Sequence, residues 1–168
     1  MKAKSSLQNP PAESSVEAPA RGDSPATITP WWATLIPDRE WAALSEAVEA
    51  LRDASIDCLL GGSVGLASYT GYLRQTQDLA LYTLPGEALT ALRALGGIGF
   101  AFDEAGRPAD RPWAYRVARD GVHIDLVFAM PNRRAEVDLL WFAQPPEVTL
   151  RGLRLKVVPA EEMIWEKL

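Results

Sequence analysis

Apolar positions recur along this chain in two periods, and the switches between them mark the elements. Trp41, Leu44, Val48 and Leu51 fall at helical spacing and make one apolar face, with Glu40, Glu46, Glu49 and Arg52 mostly off it. Asp38, preceded by Pro37, fits the N-cap of that helix. Ile56 to Leu60 is short and apolar apart from Asp57, and glycines close it, so it predicts a largely buried strand. Ser63 to Tyr69 predicts a helix starting straight after the Gly61-Gly62 turn, and Leu79 to Thr83 the next strand. Pro85 suits the first turn of a helix whose stripe is Leu89, Leu92 and Leu95 and whose end is Gly96-Gly97.

The second half is richer in turns. Residues 103 to 112 hold a glycine, two prolines and several charges and predict a loop. Tyr115 to Arg119 and Val122 to Phe128 flank Asp120-Gly121, a strong short-range hairpin signal. Asn132 to Phe142 predicts a helix after Pro131. Val148 to Leu150 and Leu153 to Val157, around Arg151-Gly152, predict a second hairpin. A last helix, Ala160 to Leu168 after Pro159, is short for an independent one and must dock on the body or on a partner chain. The order implies an α/β (α+β) fold, a mixed β-sheet flanked by helices. Residues 1 to 30, rich in Ser, Pro and Ala with balanced charges, bury too little apolar surface to offset their ordering entropy and are expected to be a disordered tail before one domain spanning 31 to 168.

Composition narrows the picture. A chain of 168 residues suffices for one domain with a sizeable core. A net charge of -5 gives no overall field that would gather nucleic acid, although Arg133-Arg134 is a local basic pair. The single cysteine, Cys58, excludes an internal disulfide and a multi-cysteine zinc site, and its apolar surroundings favour a small core residue over a reactive thiol. No apolar run approaches the roughly 18 residues that span a bilayer, and no secretory signal opens the chain, so a cytoplasmic location without a membrane partner is expected.

Two features carry candidate chemistry. Gly61-Gly62-Ser63, between a buried strand and a helix, places several backbone N–H groups around one point, where a phosphate could bind with the Ser63 hydroxyl adding a donor. A tight turn with no ligand explains the same residues. The glycines make neither a P-loop nor a dinucleotide fingerprint. The second feature is a pair of carboxylates. In the run from Asp78 to Tyr82, Asp78, Ala80 and Tyr82 share one face; in the run from His123 to Phe128, His123, Asp125 and Val127 share one. If these strands are neighbours, Asp78 and Asp125 point into one cleft beside the glycine turn. Magnesium takes one or two carboxylates plus substrate phosphates, so that cleft could serve phosphoryl chemistry. Taken singly, each aspartate reads as a surface residue at a strand end. His123, one side-chain step from Asp125, could be a general base or plain polar surface.

The combination resembles the nucleotidyltransferase superfamily, the fold shared with DNA polymerase beta, and looks closest to a bacterial subgroup of small nucleotidyltransferases. Gly61-Gly62-Ser63, then Gly71, Arg74, Thr76, Asp78, Leu79 and Leu81, then Ile124-Asp125-Leu126-Val127-Phe128, and finally Pro159, Glu161 to Trp165 and Lys167 carry the resemblance. It implies a nucleotidyltransferase fold and transfer of a nucleoside monophosphate from a nucleoside triphosphate (NTP) to an acceptor hydroxyl, on a small molecule, a protein or an RNA end. It implies Gly61, Gly62, Ser63, Arg74 and Thr76 at the nucleotide, and Asp78 and Asp125 as catalytic ligands of magnesium or manganese. One position departs: Ala80 stands where the pattern has a second aspartate. Alanine offers no oxygen, so impaired transfer is expected, or a catalytically inactive protein that binds a nucleotide or another protein.

Overall fold

In the computed structural model, residues 29–74, 78–102, 111–131 and 135–165 are described. The expected tail, but for its last two residues, and the expected loop up to residue 110 lie outside them, as do Thr76 and Arg133-Arg134.

A 3-10 turn, Trp31–Leu35, leads into helix α1, Asp38–Asp53. Its buried face is Ala43, Leu44, Ala47, Val48 and Leu51, which includes three of the four positions the periodicity named. Trp41 is half-buried, with the Arg151 guanidinium 5.6 Å from its ring centroid. Two expectations need correction. Pro37, not Asp38, is the N-cap; Asp38 is the first helical residue, and its Oδ1 accepts from Arg151 at 2.8 Å. Glu40 is buried, beside a small hollow it lines with Leu35, Pro37, Val64 and Leu79.

Five strands form the main sheet in the order β1 (Leu59–Leu60), β2 (Asp78–Tyr82), β5 (Val122–Val127), β4 (Ala114–Arg119), β3 (Ala101–Phe102). The central pair, β2 and β5, is parallel, and the other three pairings are antiparallel, so the sheet is mixed as expected. The β4–β5 turn has Asp120 at φ 52° and Gly121 at φ 75°, the doubly positive geometry that two-residue hairpins prefer. Arg151 at φ 46° and Gly152 at φ 85° repeat it between β6 (Glu147–Leu150) and β7 (Leu153–Lys156). That hairpin joins the β1 side, where Val158 N–H donates to Leu60 O at 3.0 Å.

Leu79, Leu81, Val117, Val122, Ile124 and Leu126 face the main core with α1 and α3 (Ala88–Gly97). Each apolar side chain so buried contributes about 1.5–3 kcal/mol. Helix α3 follows a separate 3-10 turn, Pro85–Glu87, and buries Ala88, Ala91 and Leu95; Leu89, expected in the stripe, is exposed. The first strand is shorter than expected, because Ile56 N–H donates to Leu51 O and closes α1 instead. Of the helix expected over 132–142, the described residues from 135 on hold only α4, Leu139–Ala143. Ahead of it, Ala135 to Val137 run beside Ala129 and Met130 in backbone hydrogen bonds, and Asp138 caps the helix by accepting from Leu140 N–H. Helix α5 is described over Ala160–Trp165.

Candidate functional site

Helix α2, Gly62–Thr70, starts straight out of β1 at Gly61 and runs beside β2. The three turn residues have different jobs. A Cβ on Gly61 would lie 2.2 Å from Tyr82 Cε2, so the ring of Tyr82 covers that residue. Gly62 is exposed, has φ +60°, and a Cβ there would sit 3.2 Å from Ala80 Cβ. Only glycine adopts that backbone easily. Ser63 is half-buried, and its Oγ is buried with no hydrogen-bond partner among the described residues. The start of α2 has no side-chain cap, and its first N–H groups lack intrahelical acceptors. What the turn leaves for a ligand is therefore Gly62 and Ser63, a helix start with positive partial charge.

Register then places the carboxylates. Parallel pairing sets Asp78 beside His123 and Ala80 beside Asp125. All four side chains lie on the sheet face away from the main core. The hairpin sets Arg116 of β4 directly across from Asp125. Sequence reasoning missed this residue. The signal was present: a two-residue turn at Asp120-Gly121 fixes the count, so 119 faces 122 and 116 faces 125.

Arg116 grips Asp125 with both arms. Nε donates to Oδ1 and Nη2 to Oδ2, each at 2.7 Å. The two side chains are 15% and 14% exposed, so this is a largely enclosed bidentate pair. Arg116 Nη2 also stands 3.4 Å from Asp78 Oδ2, and Arg111 Nη1 donates to Asp125 Oδ2 at 3.3 Å. His123 Nδ1 is 3.6 Å from Asp78 Oδ1, within ion-pair range when protonated. The arrangement joins two carboxylates through a guanidinium. Arg74 is exposed on the loop after α2, where it lines a small hollow with Leu35, Pro37 and Glu40.

The donor set does not fit a divalent metal as it stands. Ala80 supplies no oxygen, and both oxygens of Asp125 are taken by Arg116. Among the described residues no group of three or more His, Cys, Asp and Glu side chains is placed to hold one. Freeing Asp125 would mean breaking an enclosed pair, a change that costs about 3–5 kcal/mol when one partner is removed.

The Cys58 thiol is half-buried and stays protonated at neutral pH. Burial pushes its pKa up to about 12, with Asp57 adding to the rise and Arg52 and Lys156 opposing it.

No family model matches the sequence, and no curated protein does. Solved structures do. TM1012 from Thermotoga maritima, assigned as a nucleotidyltransferase, superposes with a TM-score of 0.59 at 15% identity, over 79% of this chain and 84% of its own. The chain has the nucleotidyltransferase fold. The antibiotic-resistance factor ANT(2'')-Ia superposes with a TM-score of 0.57 at 14% identity, over 77% of this chain and 70% of its own. The lincosamide antibiotic adenylyltransferase LnuA, solved with lincomycin bound, gives 0.55 at 12%, over 77% and 85%. At these identities the likeness is one of fold.

Proposed function

We propose that this protein binds a nucleoside triphosphate, phosphates at Gly62 and Ser63, and that its transfer of nucleoside monophosphate to an acceptor hydroxyl is curtailed at position 80. The observation that carries this reading is the place of Ala80: beside Asp125 in register and against Gly62, between the carboxylates and the uncapped helix start. The unpartnered Ser63 hydroxyl supports an anionic ligand there, since a buried hydroxyl left unsatisfied costs about 1–3 kcal/mol. Arg74 and Thr76 belong to this reading as expected neighbours of the nucleotide, Thr76 lying outside the described residues. The reading assigns no resident magnesium or manganese to the present residues, and it sets the protein in the cytoplasm of a bacterium, where triphosphates are plentiful.

Calorimetric titration with ATP, GTP, CTP and UTP tests it, each run beside Ser63→Ala and Gly62→Ala. Saturable binding of at least one nucleotide, weakened in both variants, is expected. Transfer of labelled nucleotide is expected to be absent from the protein as it stands. Titrations that show no binding to any nucleotide overturn the reading. Likeness to enzymes that modify antibiotics puts small hydroxylated molecules first in an acceptor screen, ahead of proteins and RNA ends.

A second reading has its own observation. Ile164 and Trp165 on α5 are 61% and 52% exposed, and α5 packs against α2, whose Leu66 is also exposed. A protein partner at α5 would make the fold a scaffold, without nucleotide binding.

A further inference from the structure

We infer that Arg116 is the resident cation of this site: its guanidinium takes the place a divalent metal would need, and the nucleotide is received as the metal-free polyanion. The first half stands on geometry alone; the second rests on the nucleotide reading above.

A magnesium ion between Asp78 and Asp125 would need carboxylate oxygens at about 2.0–2.1 Å in a near-octahedral shell. Arg116 already engages three of the four oxygens in question. It holds Asp125 Oδ1 and Oδ2 at 2.7 Å and stands 3.4 Å from Asp78 Oδ2. Its own direction is set by the strand: hairpin pairing puts it across from Asp125 on the same face, so the fork needs no loop movement to form. Charge points the same way. Two carboxylates meet two guanidiniums, Arg116 and Arg111, so the cluster is balanced before any metal arrives. A guanidinium cannot be deprotonated to make room, because it stays charged at every accessible pH.

Ala80 and Arg116 flank Asp125 from its two neighbouring strands. The side chain at 80 lies beside Asp125, where an acid would add an oxygen and a negative charge. Alanine supplies neither, and the arginine on the other side satisfies Asp125. Of the two guanidiniums on Asp125, Arg111 is the more exposed. That side chain is 36% exposed against 15% for Arg116, and it makes a longer contact to Asp125, at 3.3 Å. Its planar donors suit phosphate oxygens. Magnesium bound to the triphosphate would cancel the charge that Arg111 and the start of α2 recognise.

Electron paramagnetic resonance titration of the full chain with Mn2+, without nucleotide, tests the first half. No specific site is expected in the protein as it stands or in Ala80→Asp. One site is expected in the double variant Ala80→Asp/Arg116→Gln, and none once Asp125→Asn is added. A specific Mn2+ site in the unaltered protein that Asp125→Asn removes overturns the inference. So does a site gained by Ala80→Asp alone, which decides the matter even if the Arg116 variant does not fold. Titration with ATP in EDTA and in Mg2+ tests the second half. Affinity in EDTA is expected to match or exceed that in Mg2+ and to fall about tenfold in Arg111→Ala. Binding of ATP only when Mg2+ is present overturns that half. Binding under neither condition removes the nucleotide reading, and the manganese result still decides the role of Arg116.

Discussion

The two faces of the central sheet are built from the same strands and obey different rules. On the core face, Leu79, Leu81, Val117, Val122, Ile124 and Leu126 are each at most 2% exposed, and none depends on a particular partner. On the other face the strands divide. At one end Tyr82, Ala114 and Val127 pack with Trp141 and Met130 in a small second core, the Tyr82 and Trp141 rings stacked at 5.8 Å. At the other end Asp78, Asp125 and Arg116 meet as charges, with His123 beside Asp78. An apolar face tolerates exchange of its members so long as volume is kept. A charged cluster on a largely enclosed surface does not, because its members are held by specific partners, Asp125 by Arg116 and Arg111 and Asp78 by Arg116. The apolar packing therefore says what the fold is, while the charged end, with the start of α2 beside it, bears on what it does.

The sharpest way to break that comparison is to remove Arg116. Arg116→Gln leaves Asp125 enclosed without its fork and is expected to cost about 3–5 kcal/mol of stability, read from urea denaturation. Adding Asp125→Asn should return most of that loss, because the penalty comes from a charge left with only the longer 3.3 Å contact to Arg111. If the single variant is as stable as the parent, the polar end is ordinary surface and the contrast between the faces disappears.

Gly62→Ala gives a smaller effect and sharpens the same line. An L residue at φ +60° costs about 1–2 kcal/mol, and here its Cβ would also press on Ala80. Gly71→Ala is the reference, since φ is +69° there and nothing lies within 4 Å of the added Cβ. The excess loss at 62 over 71, measured by thermal melting, isolates the contact between the helix start and β2. Equal losses would mean that Ala80 yields and that position 80 does not shape the turn.

The core face was legible because it needs only alternation and period: Leu79 and Leu81, or Leu44, Val48 and Leu51, announce themselves within a few residues. Asp78 and Asp125 were also legible as members of one face, and their being brought onto adjacent strands follows from β2 pairing with β5. Arg116 was not seen, since its meaning lies across a hairpin, and a strand read by itself shows it as one more polar residue. The residues 135–137 were misread as helix for a related reason. Nothing local forbids a helix there, and the pairing of Ala129 with Glu136 that draws them straight is a contact the sequence does not display. Glu40 shows the reverse: a charge placed off the apolar face by its period is buried where segments distant in sequence, around Leu35, Val64 and Leu79, line one hollow with it.

The smallest effect lies on the core side, at Cys58, which packs against the main core. Burial raises its folded pKa from about 9 to about 12. The unfolded chain gives up the proton near pH 9, while the folded chain keeps it. The contribution to stability is therefore complete below pH 9 and is lost as pH rises toward 12. Between pH 9 and pH 10 this one group should remove about 1 kcal/mol. Urea denaturation at the two pH values, in the parent and in Cys58→Ala, measures it as a difference of slopes, so the small cavity left by alanine drops out. A steeper fall in the parent would show a thiol enclosed with the core, inert where the opposite face is reactive in charge. Parallel slopes would put Cys58 in contact with water and make the core face less uniform than its leucines suggest.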